Sequence, residues 1–117
     1  MMRTVLNSKL HRVRVTEANI EYMGSISIDS EILDYSGIMP HEKVLVVDLN
    51  NGQRLETYVI PAAEGSKEIC LNGAAARLVE AGDEIIVMSF ALIEDDKIKD
   101  WQPKVVFFDE ENNIIEK

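Results

Sequence analysis

Residues 43–60 of this 117-residue chain read KVLVVDLNNGQRLETYVI, a stretch that contains the strongest hairpin signal in the chain. Residues 43–49 form an apolar run rich in β-branched side chains, which is typical of a central strand. Asn51-Gly52 is the dipeptide that most strongly indicates a two-residue hairpin turn. The chain returns as a second strand over residues 53–60, which Pro61 interrupts. The stretch therefore predicts an antiparallel pair of strands.

Side chains alternate between the two faces of the returning strand. One face carries Arg54, Glu56, Tyr58 and Ile60, and the other carries Leu55, Thr57 and Val59. Arg54 and Tyr58 can therefore act at one site. Thr57 can join them only through a twist, a bulge or a second subunit.

Strand-like patterns extend outward from this pair in both directions, over residues 12–16, 26–28, 67–71, 83–92 and 104–108. Asp29 or Ser30 is placed to cap a short helix that Gly37 ends. Asn72 is placed to cap a second helix, which ends near Gly82. Six or seven short strands, two short helices and no repeating βαβ spacing indicate a mainly β fold, a small barrel in a single domain of residues 1–117.

Two stretches near the end of the chain have less definite patterns. Residues 95–101 are compatible with a helical turn or a loop. Residues 109–117 carry four acids and one lysine, and we expect a solvated, mobile acidic tail there.

Charge is unevenly distributed along the chain. The net charge is −9, which excludes a nucleic-acid partner, yet residues 1–16 hold four of the twelve cations and none of the 21 acids. This segment is either a place to hold a small dianion or a solvated polar strand face. Period-two alternation places Lys9, His11 and Val13 on one side of it and Leu10, Arg12 and Arg14 on the other.

Composition limits the remaining classes of protein. The single cysteine, Cys70, excludes an intramolecular disulfide and is expected to be a small buried hydrophobe. No apolar run approaches 18 residues and no cleavable signal opens the chain, so a soluble, cytoplasmic protein without membrane contact is expected. His11 and His41 are isolated in sequence, and we expect no metal site.

Gly24-Ser25, within the stretch EYMGSISID of residues 21–29, has two interpretations. The first is a glycine turn between strands. In the second, Gly24 has no side chain to shield its carbonyl and tolerates strained backbone, so the Ser25 hydroxyl can attack that carbonyl. The resulting ester eliminates to a dehydroalanine, which hydrolyses to a ketone with loss of ammonia. The products are a chain cut after Gly24 and a pyruvoyl group made from Ser25.

Five motifs, in order and at fitting spacing, decide between these interpretations. They are the N-terminal Met1, Arg3 and Thr4 leading to Lys9-Leu10-His11-Arg12, then Tyr22-Met23-Gly24-Ser25, Asn51-Gly52 with Arg54, Thr57-Tyr58, and Asn72-Gly73-Ala74-Ala75-Ala76. Over about residues 1–109 the chain resembles the pyruvoyl-dependent aspartate 1-decarboxylases, which make β-alanine for pantothenate biosynthesis. The resemblance implies a six-stranded double-psi β-barrel and a homotetramer with its active sites between subunits.

The resemblance also implies the role of each site residue. Ser25 is the pyruvoyl precursor that forms a Schiff base with the amine of L-aspartate, and Gly24 becomes the C-terminus of a small chain of residues 1–24, leaving residues 25–117 as the large chain. The further roles are proton donor (Tyr58), carboxylate-binding cations (Lys9, Arg54), substrate contact and oxyanion stabiliser (Thr57), substrate-receiving backbone (Gly73, Ala74, Ala75) and outer positions (His11, Tyr22, Asn72). The helix start at residues 72–76 has no bulky side chain, which suits anion binding as well as tight packing on a neighbour.

Two other functions fit the same residues. A non-catalytic β-barrel module could hold a dicarboxylate in the cationic segment, and a structural oligomer could use Gly24 only as a turn. Both predict an uncut chain. The enzyme predicts two fragments, produced by the chain alone or with a maturation factor.

Overall fold

The computed structural model describes residues 1–116, which form nine strands, one α-helix and two 3-10 helices. The strands are β1 (Met2–Arg14), β2 (Glu17–Asn19), β3 (Ser25–Asp29), β4 (Lys43–Asp48), β5 (Arg54–Ala62), β6 (Ile69–Asn72), β7 (Glu84–Glu94), β8 (Lys104–Phe108) and β9 (Ile114–Ile115). The α-helix α1 spans Ser30–Ser36, and the 3-10 helices span Gly73–Arg77 and Asp95–Asp100. No helix within residues 1–116 is long and apolar enough to cross a membrane.

The nine strands form one mixed sheet in the order β2-β6-β3-β5-β4-β7-β1-β8-β9. Although β1 and β2 lie far apart in this order, only Val15 and Thr16 separate them in the chain. The N–H of Thr16 donates to the Ile69 carbonyl at 2.8 Å, and the N–H of Gly82 donates to the Val15 carbonyl at 2.7 Å. The sheet therefore curls, so that β6 approaches the end of β1.

A single apolar cluster fills the inside of the curled sheet. It draws buried side chains from α1 and from most of the strands, including Leu10, Ile26, Val46, Val59 and Ile85. The mainly β prediction is confirmed, but the count of six strands is wrong. The two strands that sequence patterns missed, β2 and β9, are three and two residues long. Segments this short show no alternation.

The predicted faces of β1 are wrong because the strand contains a bulge. Its register with β7 shifts between Leu10 and Val13, and Arg12 adopts a left-handed backbone with φ of 65°. Leu10 and Val13 are both fully buried, although strict alternation had placed them on opposite faces. One extra residue at a bulge reverses the side-chain order beyond it.

The central hairpin is confirmed, with a longer loop than a two-residue turn. β4 and β5 pair from Lys43–Tyr58 to Val47–Arg54. The Asp48 carboxylate accepts from the N–H groups of Asn50 and Asn51, at 2.7 and 3.3 Å, which stabilises the wider loop. β5 also continues through Pro61 instead of stopping there. Its pairing with β4 has ended at Tyr58, so Pro61 needs no N–H on that side.

The first predicted helix is confirmed, and the second differs. Asp29 caps α1 by accepting from the Glu31 N–H at 2.8 Å, and Gly37 ends it with φ of 81°. The second helix is a five-residue 3-10 segment, and the Asn72 side chain makes no capping bond to it. It is too short to develop the dipole that the anion-binding argument needed. Residues 95–101, compatible in sequence with a helical turn or a loop, contain a 3-10 helix over Asp95–Asp100.

The segment expected to be a solvated, mobile tail is held against the fold up to Ile115. Asn112 is buried, its Nδ2 donates to the carbonyls of Arg14 and Lys67 at 2.9 and 3.1 Å, and its Oδ1 accepts from the Arg14 N–H at 2.8 Å. β9 then pairs with β8. One buried amide anchors an otherwise acidic stretch, which composition alone did not indicate. Lys117 lies outside the described residues.

Candidate active site

The Gly24–Ser25 peptide bond lies where β3 begins. Gly24 is exposed, whereas Ser25 is fully buried as the first residue of the strand. β3 runs parallel to β5 with Ile26 opposite Val59. Extending that register by one and two residues brings Ser25 beside Tyr58 and Gly24 beside Thr57.

A cavity of about 430 Å³ opens beside Gly24, and it is lined by Gly24, Leu55, Glu56, Thr57, Tyr58, Ala74, Ala75 and Leu78. Five of the sequence-predicted site residues are therefore brought together: Gly24, Thr57, Tyr58, Ala74 and Ala75. The cavity is large enough for a small amino acid, and its walls are mostly apolar.

Thr57 and Tyr58 share the cavity because it follows the edge of β5 instead of one face. β5 pairs with β4 through Arg54–Tyr58 and with β3 only from Val59 onward. The edge of residues 54–58 that faces away from β4 therefore has no strand partner within the described chain. Consecutive side chains from both faces reach a ligand placed at such an edge.

Gly73 allows the 3-10 helix to touch the peptide bond in question. Its φ is 66°, and a Cβ built on it would lie 2.8 Å from both Cα and N of Gly24. The left-handed backbone therefore lies at Gly73, and the φ of Gly24 is not positive. Only glycine at position 73 permits this contact.

Buried hydrogen bonds hold the Ser25 side chain. Its Oγ donates to the Met23 carbonyl at 3.0 Å and accepts from Asn72 Nδ2 at 2.9 Å. Asn72 Nδ2 also donates to Ser27 Oγ at 2.9 Å, and Cys70 Sγ donates to Asn72 Oδ1 at 3.1 Å. The partners Ser27 and Cys70 were missed from the sequence. The alternation of Ser25 and Ser27 with isoleucines placed both serines on one face, but the pairing of β3 with β6 was not predictable.

The Cys70 thiol is neutral in this setting. Burial, followed by the charges of Glu17 and Glu68, raises its pKa to about 11. The thiol therefore remains a hydrogen-bond donor over the physiological pH range.

The predicted carboxylate-binding cations do not line the cavity within one chain. Lys9 lies in β1, opposite Met88 of β7 and beside Val105 of β8. Arg54 is exposed at the start of β5. The acid in the wall, Glu56, is paired with Lys43 at 3.1 Å. The cavity of a single chain therefore has no cation in its wall among the described residues.

Three of the four cations in residues 1–16 form ion pairs, which are exposed at Arg3 and Arg12 and half-buried at Arg14. Arg3 pairs with Asp95 at 2.7 Å, and Arg12 and Arg14 pair with Glu84 at 3.4 and 3.7 Å. For these three residues, the interpretation as a polar strand face is confirmed. Lys9 makes no ion pair within residues 1–116, so it is the cation of this segment that is still available to a ligand.

The two other outer residues take different positions. The His11 ring packs edge-on against Phe107, with centroids 5.6 Å apart. The Tyr22 side chain is about half exposed, and its carbonyl oxygen lies 3.1 Å from the Cβ position of Gly73. Tyr22 therefore contributes backbone to the contact around Gly24.

Comparison with known proteins matches residues 1–115 to the family described as aspartate decarboxylase. A protein named aspartate 1-decarboxylase from Carboxydothermus hydrogenoformans is 58% identical over 115 residues, which are 98% of this chain and 91% of the relative. Proteins of the same name from Desulfitobacterium hafniense and Staphylococcus aureus strain JH9 are 54% and 55% identical, over 98% and 99% of this chain and 91% of each relative.

Proposed function

The chain belongs to the aspartate decarboxylase family, and we propose that it removes the α-carboxylate of L-aspartate to give β-alanine and CO₂ for pantothenate biosynthesis. One observation supports this most strongly. The Gly24–Ser25 bond meets a cavity that Tyr58 and Thr57 line, so the group made at residue 25 would face a proton donor across a space of substrate size.

The chain first cuts itself. Ser25 Oγ adds to the Gly24 carbonyl carbon, the Gly24–Ser25 C–N bond breaks, and the hydroxyl proton ends on the freed amine, which gives an ester. Loss of the Ser25 Cα proton then breaks the Cβ–O bond, so that Gly24 leaves as a carboxylate and residue 25 becomes dehydroalanine. Water replaces the nitrogen of its imine tautomer, ammonia departs, and a ketone remains. Thr57, beside Gly24 in the register, donates to the oxyanion of the first step.

A pyruvoyl group at residue 25 supplies the electron sink that decarboxylation requires, without an external cofactor. The surroundings fit such a group, since Gly73 keeps the space next to Gly24 free of a side chain. Ala74 and Ala75 offer a wall without bulky groups. The Tyr58 phenol delivers a proton to the former α-carbon after CO₂ leaves.

A second subunit completes the site. Aspartate brings two carboxylates, and burying them requires cations that the cavity wall of one chain does not contain. We assign this role to Lys9 and Arg54, brought together in a homotetramer whose active sites lie between subunits. A guanidinium binds a carboxylate bidentately, and an ammonium serves as a point charge.

An exposed two-stranded ribbon, residues 2–6 of β1 with residues 90–94 of β7, supports this assembly. β8 reaches β1 only at residues 8–11 and β4 reaches β7 only at residues 85–88, so within the described chain the ribbon strands pair only with each other. Met2, Phe90 and Leu92 leave 48%, 42% and 64% of their surface exposed there. Such an apolar ribbon is suited to a subunit contact.

The curled sheet also supports the family's double-psi barrel as its closed form. Three parallel pairs, β1–β8, β2–β6 and β3–β5, occur among antiparallel ones. The link of two residues between β1 and β2 brings the β2 end of the sheet back to β1.

Two variants test the proposed activity. Ser25→Ala should fold, stay uncut and make no β-alanine from aspartate, because the hydroxyl that begins the chemistry is gone. Tyr58→Phe should still cut itself but decarboxylate at least about 100-fold more slowly, since it lacks the proton donor. β-alanine formation by purified Ser25→Ala would refute the assignment, and near-normal turnover by Tyr58→Phe would remove Tyr58 from its role. An uncut wild-type chain that binds aspartate would instead indicate the dicarboxylate-binding module.

A further inference from the structure

Four small polar side chains form a buried cluster beneath the Gly24–Ser25 bond. β3 and β6 run antiparallel with Ser25 opposite Asn72 and Ser27 opposite Cys70, so all four side chains lie on the same face of the sheet. This is the face away from the apolar core, yet the four residues are only 0–7% exposed. Buried polar groups of this kind are retained where their hydrogen bonds are complete.

The hydrogen bonds of the cluster fix which way the Asn72 amide points. Its two N–H groups donate to Ser25 and Ser27, at 2.9 Å each, and its oxygen accepts from the Cys70 thiol at 3.1 Å. The thiol also lies 3.8 Å from the Leu71 carbonyl, a much longer contact. If the amide were turned over, its NH₂ would face a sulfur, which is a weak acceptor, and its oxygen would face Ser25. The Ser25 proton is already donated to the Met23 carbonyl, so the turned amide oxygen would find no donor at Ser25, and its NH₂ would face only the weakly accepting sulfur.

We propose that Cys70 and Ser27 are positioning residues for self-cleavage, which act by holding the Asn72 amide in the orientation that fixes the Ser25 hydroxyl. The proposal rests on the proposed function, because it concerns the first step of that maturation. A hydroxyl has one proton and two lone pairs. The Ser25 hydroxyl donates its proton in a hydrogen bond to the Met23 carbonyl, and one of its lone pairs accepts from Asn72 Nδ2. The other lone pair is free to form the new bond to the Gly24 carbonyl carbon, after which the C–N bond breaks and the proton moves to the released nitrogen.

The thiol suits this task because it remains protonated. Its raised pKa of about 11 keeps the S–H available to the Asn72 oxygen at any pH at which the precursor would be handled. A serine hydroxyl at position 70 would make the same donation, whereas an aliphatic side chain of similar size would fill the space and donate nothing.

The test compares Cys70→Ser with Cys70→Val. Each chain is pulse-labelled in the expression host and then purified, and the uncut fraction is followed over time by intact mass. We expect Cys70→Ser to cleave within about threefold of wild type and Cys70→Val to cleave about tenfold more slowly, a difference of about 1.4 kcal/mol in the barrier. Valine leaves no void, so a slow rate that serine restores identifies the missing donor and not lost packing.

Ser27→Ala provides an independent arm, because it removes the other anchor of the Asn72 amide with little change in volume and also tests the proposal if Cys70→Val does not fold. It should slow cleavage in the same direction, while loss of one buried hydrogen bond lowers the free energy of unfolding by only about 1 kcal/mol, so the chain stays folded when cleavage is followed. Wild-type rates in both Cys70→Val and Ser27→Ala, or a Cys70→Ser rate as slow as that of Cys70→Val, would overturn the proposal. A wild-type chain that never cleaves would contradict the proposed function itself, which is a different result.

Discussion

The absence of one methyl group at residue 73 lets two backbone segments touch at the site of cleavage. Gly73→Ala places a Cβ 2.8 Å from two backbone atoms of Gly24 and also strains a backbone with φ of 66°. We expect a loss of about 1–3 kcal/mol in the free energy of unfolding and a marked slowing of cleavage, because Gly24 must move. Urea unfolding and intact mass measure the two effects separately.

Gly65→Ala is the matched control for residue 73. Gly65 has a similar φ of 81°, but nothing lies within 4 Å of a Cβ added there. It should show the backbone strain without the slower cleavage. Equal cleavage rates in the two alanine variants would mean that the contact between Gly73 and Gly24 has no influence on self-processing.

At the scale of elements, the loop joining β4 to β5 has a built-in pH dependence. Asp48 is 1% exposed and its Oδ2 has no hydrogen-bond partner in the described chain. Burial first, and then the neighbouring Asp83 carboxyl, raise the pKa of Asp48 above its ordinary value of 3.8. The folded state therefore binds the proton more tightly than the unfolded state does. The contribution of Asp48 to stability must fall as pH rises from about 3.8 through the higher folded pKa.

Asp48→Asn should remove this loss of stability at higher pH, because asparagine carries no titrating carboxyl group. Its side chain still offers an oxygen to the N–H groups of Asn50 and Asn51. We expect the free energy of unfolding of the variant to exceed that of wild type by about 1 kcal/mol at pH 7. This difference should disappear in acid, and urea unfolding across a pH series measures it. The control is Asp109→Asn. Hydrogen bonds from Asn113 lower the pKa of Asp109, so that substitution should not stabilise the fold at neutral pH. A pH-independent difference between Asp48→Asn and wild type would contradict this account.

Elements were predictable from the sequence where local chemistry alone determines them. The β-branched run of β4, the cap at Asp29 and the left-handed stop at Gly37 depend only on neighbouring residues. The β1 bulge was not predictable, because the extra residue at Arg12 is set by pairing with β7, a strand more than 70 residues away. Strict alternation therefore assigned the residues beyond the bulge to the wrong face of β1.

The site residues also divide into those that could be predicted from the sequence and those that depend on strand pairing. Ser25, Tyr58, Thr57 and the alanines at residues 74 and 75 were assigned by family resemblance, and the structure gathers the last four with Gly24 around one cavity. Strand alternation places Thr57 and Tyr58 on opposite faces and therefore argued against a shared site. It could not reveal that β3 pairs with β5 only from Val59 onward, which leaves the edge of residues 54–58 open on that side. The roles of Ser27 and Cys70 depend on which strands are neighbours, which no local pattern encodes.

At the scale of the whole molecule, the exposed ribbon is expected to hold the subunits together. Leu92 is 64% exposed on the same ribbon face as Phe90. Leu92→Lys should shift the protein from the proposed tetramer to smaller species in sedimentation analysis, because a buried unpaired ammonium opposes association. Activity should fall as the subunits dissociate, because Lys9 and Arg54 would no longer reach the cavity of a neighbouring subunit.

Ile115→Lys is the control for the ribbon, with the same new charge placed on another exposed apolar residue, in β9. Its sedimentation should match wild type. A Leu92→Lys protein that remains tetrameric would show that the ribbon is not the contact. A monomeric protein with full activity would contradict an active site shared between subunits.

The proposed activity depends on conversion of Ser25 into a reactive ketone by the chain itself, and the intact mass of the purified wild-type protein shows whether this conversion occurs. We expect two fragments, residues 1–24 and residues 25–117, the second beginning with a pyruvoyl group and having no free amino terminus. A protein that turns over aspartate while its mass remains that of one unbroken 117-residue chain with serine at position 25 would contradict it.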